Sequence, residues 1–158
     1  MNLIETARAR ALDELARISW LAPLLGRLAV GLLFLSTGWG KVHNLASVTE
    51  YFGELHIPAP AFNATLASWT ELLGGTMLVL GLGSRLAALP LMVTMTVAIL
   101  TALSDKIHGL PDLFGQVEWT YLVLLLVIVV FGPGRMSLDA LVRSRLPPDS
   151  PWLAESVG

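Results

Sequence analysis

Three features of this sequence predict an all-α fold, a transmembrane four-helix bundle preceded by a short amphipathic N-terminal helix. The 158 residues are 54% hydrophobic and only 14% charged, where a soluble domain carries about 25% charged residues. The apolar residues collect into four long runs divided by short polar segments. Seven of the ten basic residues fall in segments that four crossings would leave on one side.

The N-terminal segment, MNLIETARARALDELARISW, mixes three arginines with three acids and lacks a clean apolar core. It reads as an amphipathic helix and not as a secretory signal, with Leu3, Ile4, Ala7, Leu12, Leu15 and Ile18 biased to one side. Residues 1–17 are therefore expected to form a cytoplasmic leader, 18–142 the membrane domain and 143–158 a flexible, proline-rich tail. The first crossing is expected over residues 18–37, the second over 63–82 and the third over 86–103. Pro90 lies in the first turns of the third, where neighbouring helices can satisfy the freed carbonyl. In the fourth, the strictly apolar part WTYLVLLLVIVVF holds 13 residues, short of the ~20 that a spanning helix needs. Extending it back to Leu113 supplies the missing turns and draws Glu118 into the span. GLGSR at 81–85 and GPGR at 132–135 are glycine-rich stops that close the second and fourth helices.

Orientation follows from the basic residues. Arg8, Arg10, Arg17, Arg85, Arg135, Arg143 and Arg145 lie on one side of this topology and Lys41 and Lys106 on the other. The positive-inside rule places both termini in the cytoplasm of a bacterial-type inner membrane. A weak internal echo, RLAVGLL with KVHNL against RLAALPL with KIHGL, fits either a duplicated hairpin or chance between similar apolar helices.

Arg27 interrupts the first apolar run. A lone arginine in a bilayer costs at least ~2.5–3.5 kcal/mol, so a partner is expected. Glu71, in SWTELLGG, sits at a comparable depth in the second run, and an Arg27–Glu71 ion pair is the natural expectation. From Arg27, helical steps lead through Gly31, Phe34 and Gly38 to Lys41. From Glu71 they lead through Ala64, Ala67, Ser68, Gly74, Gly75 and Leu78. Both stripes are rich in the small residues that let helices approach closely in lipid. Lys41, His43, His108 and Glu118 lie toward the outer ends and, with Arg27 and Glu71, could line an outward-facing vestibule and relay protons. Each also has a plain reading, as a snorkelling lysine or a solvated loop residue. Trp20, Trp39, Trp69 and Trp119 suit interfacial anchoring.

The chain has no cysteine, which excludes disulfides, thiol catalysis and iron–sulfur ligation. No metal site, and no covalently held cofactor, is expected. Histidines do not face one another within spans, and no HExxH, P-loop or GxGxxG motif stands in a suitable context. A net charge of −2 without a basic cluster gives no footprint for nucleic acid.

RLAVGLLFLSTGWGKV, ELLGGTMLVLGLGSRLAA and FGPGRMSLD, taken in order over residues 24–142, resemble the DoxX family of small four-helix membrane proteins. The resemblance marks Arg27, Lys41, Glu71, Gly74, Gly75, Arg85 and the 132–139 segment, without assigning a catalytic residue. It implies membrane subunits of thiosulfate:quinone oxidoreductases for some relatives, oxidative-stress complexes for others, and assembly chaperones for distant eukaryotic ones. The leading expectation is a membrane component of a redox complex that binds a quinone or small lipophilic ligand in an outward-facing polar cavity floored by Arg27 and Glu71. A small-solute or proton transporter and a non-catalytic scaffold are the alternatives. The bilayer, a protein partner and a second copy of the chain are the expected associates.

Overall fold

The computed structural model describes residues 3–145, and within them the chain is helical with no strand. Helix α1 spans Leu3–Ile18, α2 Leu21–His43, α3 Leu45–Glu54, α4 Pro60–Leu80 and α5 Ser84–Leu100. A 3₁₀ turn at Ser104–Lys106 leads to α6 (Leu110–Gly115), α7 (Val117–Phe131) and α8 (Leu138–Arg145).

Four helices, α2, α4, α5 and α7, share one apolar core. Val30 and Phe34 of α2 meet Leu78 of α4, Ala88, Leu91 and Met95 of α5, and Leu125 and Ile128 of α7. Phe34 and Tyr121 add an edge-to-face ring contact, centroids 6.2 Å apart. On α4 the buried positions 64, 68, 71, 75 and 78 repeat at steps of four and three, which holds one narrow stripe against the neighbours. The most extensive packing joins α2 to α4 and α5 to α7.

Much of the outer surface of these helices is apolar. Leu25, Leu32, Leu73, Leu86, Val93, Leu100, Val130 and Phe131 are exposed, while Arg27, Ser68, Glu71 and Ser84 are buried. Soluble bundles are patterned the opposite way. Among the described residues, one continuous helical stretch, Leu12–His43, is long and apolar enough on its own to cross a membrane. Helices α5 and α7 are apolar but shorter.

Several sequence expectations need correction. The first long helix begins at Leu21 and runs to His43, past Thr37, and the third stops at Leu100. The fourth is not continuous from Leu113. Gln116 is extended (φ −77°, ψ 136°) and separates α6 from α7, so Glu118 falls in the first turn of a new helix. The expected loop after the first span contains α3, which lays Leu45, Val48, Phe52 and Leu55 half-buried against the bundle and packs on α4. Arg143 and Arg145, expected in the tail, belong to α8. The rest of the tail, and the side chains of Leu3, Ile4, Ala7 and Arg10, lie outside the described residues.

Candidate functional site

Glycines set the register in which α2 meets α4. A Cβ on Gly38 would strike the backbone of Glu71 and Leu72, and one on Gly75 the backbone of Phe34 and Leu35. Gly31 is nearly as tight against Leu78 and Val79. The backbones therefore touch along two antiparallel helices, with Gly38 level with Glu71 and Gly31 level with Leu78.

That register decides the partner of Glu71. Its side chain is 2% exposed and lies beside Gly38, one turn from Lys41. Lys41 Nζ donates to Glu71 Oε1 at 2.5 Å, and Thr37 Oγ1 donates to Oε2 at 2.9 Å. Both carboxylate oxygens are thus occupied. The two donors open outward, since Thr37 is exposed and the Lys41 side chain is 36% exposed against 3% for Glu71. A buried acid is reached from the bundle surface through a hydroxyl and an ammonium.

The expected Arg27–Glu71 pair does not form. Arg27 is packed beside Gly81, ten residues along α4 from Glu71, or about 15 Å at the rise of an α-helix. Although only 3% exposed, its guanidinium faces a different set of acceptors. One terminal nitrogen donates to the Pro133 carbonyl at 2.9 Å and the other to the Met136 carbonyl at 2.8 Å. Nε has no hydrogen-bond partner among the described residues. Charge-assisted hydrogen bonds contribute about 1.5–3 kcal/mol each, so two of them offset much of the cost of burying the cation.

This contact knots three segments together. Gly81 ends α4 in the left-handed region (φ +70°) and leaves room for the guanidinium, where a Cβ would meet Arg27 and Ser137. The Gly81 carbonyl accepts from Asp139 N–H at 2.9 Å. Asp139 Oδ1 in turn accepts from Gly83 N–H at 2.8 Å and Oδ2 from Ser84 N–H at 3.4 Å, at the start of α5. Arg85 donates to the Val130 carbonyl at 3.2 Å. Arg27, GLGSR and GPGRMSLD, scattered in sequence, meet at one end of the bundle.

The other candidates are not gathered around Glu71. His43 is exposed, with Nδ1 2.8 Å from the Trp39 carbonyl and its ring against the indole. His108 is exposed, and its backbone N–H donates to Asp112. Glu118 is half-buried and makes no hydrogen bond or ion pair among the described residues. Arg27 lies at the opposite end from Lys41, so it cannot floor a vestibule shared with Glu71. Thr37 is a polar residue that sequence reasoning missed, whereas Asp139 is marked there only as the end of the 132–139 segment, without its role at the α4–α5 turn. Thr37 had a signal, four residues before Lys41 and one before Gly38.

Two cavities stand out among the described residues, and neither is lined by Glu71 or Lys41. One, of about 400 Å³, is an apolar groove on α5 between Leu89 and Val97. The other, of about 510 Å³, lies between the α4–α5 turn, the end of α7 and α8.

The DoxX family profile matches residues 22–104, a range that holds Arg27, Lys41, Glu71 and the 81–85 turn. The uncharacterized membrane protein Rv3486 of Mycobacterium tuberculosis is 33% identical over 130 residues, 75% of this chain and 80% of its own length. The inner membrane protein YqjF of Escherichia coli is 28% identical over 125 residues, 77% of this chain and 92% of that protein. CatD of Bacillus subtilis, named provisionally as an oxidoreductase, is 29% identical over 121 residues, 75% and 85% of the two chains. No solved structure matches. A profile match over more than half the chain, and a relative one-third identical over four-fifths of its length, identify this chain as a membrane protein of the DoxX family.

Proposed function

We propose that this protein is a multi-pass component of an inner-membrane redox complex, with both termini cytoplasmic, and that it binds a quinone headgroup beside Glu71. The observation that carries the reading is a carboxylate buried in an apolar bundle whose two donors, Thr37 and Lys41, reach the outer surface. Ionisable groups in membrane helices mark ligand sites or proton paths more often than they serve packing alone. A quinone carbonyl needs a hydrogen-bond donor and its reduction needs protons. Lys41 Nζ, which has N–H groups beyond the one committed to Glu71, supplies the donor, and the Glu71 carboxylate behind it anchors the ammonium. Exposure of Thr37 lets a lipophilic ring arrive sideways from the bilayer. The name of CatD is consistent with redox chemistry.

The apolar outer face of α2, α4, α5 and α7 supports four crossings. The transport alternative has less in its favour. Between the Glu71 end and the Arg27 end the bundle is filled by Val30, Phe34, Leu78 and Leu91, and α2 touches α4 at backbone distance. A single chain of this kind offers no polar path.

The test uses the full chain in lipid nanodiscs with a short-chain ubiquinone or menaquinone analogue. Saturable thermal stabilisation is expected for the wild type, with loss of the response in Thr37→Val and Glu71→Gln variants that still unfold cooperatively. A wild type indifferent to both quinones defeats the proposal. Substitutions that leave the response intact remove Glu71 from it and favour the scaffold reading.

A further inference from the structure

The 510 Å³ cavity is chemically unlike the Glu71 site and lies at the other end of the bundle. Its walls carry Arg85, Arg135 and Arg143 against a single acid, Asp139. That acid is already committed, since its two oxygens accept from Gly83 and Ser84 N–H. None of the three arginines forms an ion pair among the described residues, and Arg85 makes only its bond to the Val130 carbonyl. The cavity is therefore a concave site lined by three exposed arginines and, among the described residues, by no acid other than Asp139. Its rim is mixed. Leu86 and Phe131, both lining residues, are 73% and 76% exposed and present apolar surface on the side of the long helices. Gly132 and Gly134, at φ +80°, carry the wall between them without side chains.

We propose that this cavity seats the phosphate headgroup of an anionic phospholipid, with the acyl chains running past Leu86 and Phe131. Guanidinium groups engage phosphate oxygens through paired hydrogen bonds. Basic pockets between helices on the cytoplasmic side suit anionic headgroups because that leaflet carries negative surface charge. A soluble anion would leave Leu86 and Phe131 unused, whereas a lipid contacts both parts of the site. The proposal rests on the bundle crossing the bilayer with this end cytoplasmic, and is independent of any quinone.

The experiment compares the full-length protein in nanodiscs of phosphatidylcholine alone and of phosphatidylcholine with phosphatidylglycerol. Native mass spectrometry counts the lipid that survives delipidation, and thermal unfolding follows stabilisation. Wild-type protein is expected to retain phosphatidylglycerol. Arg135→Gln with Arg143→Gln is expected to bind it roughly thirtyfold more weakly, about fivefold for each basic side chain near an anionic surface. Unfolding of that variant in phosphatidylcholine alone reports whether it folds, and Arg135→Lys with Arg143→Lys restores the charge if it does not. Lys106→Gln removes one charge at the opposite end and should leave retention unchanged. Equal retention by wild type and the double variant overturns the site. An equal response to soluble glycerol phosphate overturns its assignment to lipid. Labelling of the termini from outside the cell separates a failure of topology from a failure of binding.

Discussion

Lys41 and Glu71 are held unequally, and the difference decides what their loss costs. Lys41 keeps a third of its side chain outside the bundle, while Glu71 is enclosed. If the carboxylate is removed, the ammonium can swing outward on its flexible stem. If the lysine is removed, a carboxylate stays buried with only the Thr37 hydroxyl. Glu71→Gln should therefore cost under about 1 kcal/mol, whereas Lys41→Met should cost about 3 kcal/mol or more. The double variant should recover most of that loss, and a double-mutant cycle on unfolding midpoints in detergent checks all three values. The same residues show what could be read from sequence. Glu71 reads from sequence as a membrane-embedded charge and Lys41 as an outer-end one, so counted depth pairs Glu71 with Arg27, the wrong cation. Arg27 is satisfied by the carbonyls of Pro133 and Met136, and a backbone acceptor leaves no mark in side-chain pattern.

At the scale of the element, the α2–α4 seam rests on hydrogen atoms where other residues carry a methyl group. Gly38→Ala should force the helices apart and destabilise by about 1–3 kcal/mol, because the obstruction is backbone that cannot rotate away. Gly40→Ala is the matched control, since nothing lies within 4 Å of its Cβ position. It should be neutral or stabilising by up to about 1 kcal/mol through helix propensity, and thermal unfolding of the two variants side by side is sufficient. This seam is legible in sequence, because Gly31, Gly38 and Gly75 fall at helical spacing among larger residues. Other elements left fainter traces. The steps of three and four linking Leu45, Val48, Phe52 and Leu55 signal α3 and the residue that caps it. Gly115 is a sign of the break before α7 that an extension of the fourth span back to Leu113 passes over.

For the molecule as a whole, charge and topology agree. One end of the bundle gathers Arg85, Arg135 and Arg143 around the α4–α5 turn and α8, and the other carries Lys41, Lys106, His43, His56 and His108 in or beside the connecting segments. The chain has no cysteine of its own, so single introduced thiols report sidedness without background. In intact spheroplasts, His56→Cys should react with a membrane-impermeant maleimide and Arg143→Cys should react only after lysis. The reverse pattern, or labelling of both, excludes the proposed orientation. The all-helical plan is readable because amphipathic periodicity and glycine stops act locally. The knot at Arg27 is not, because it joins residues more than 100 positions apart through the main chain.

The walls of this bundle are uneven in height. The paired α2 and α4 hold 23 and 21 residues, and the paired α5 and α7 hold 17 and 15. At 1.5 Å per residue the tall side measures about 33 Å and the short side about 24 Å. A bilayer with a hydrocarbon thickness near 30 Å fits the first and must be pinched to meet the second. In the proposed four-crossing arrangement the α5–α7 flank carries a standing elastic penalty wherever it faces ordinary lipid, and thinner membrane, or a neighbour with equally short helices, relieves it.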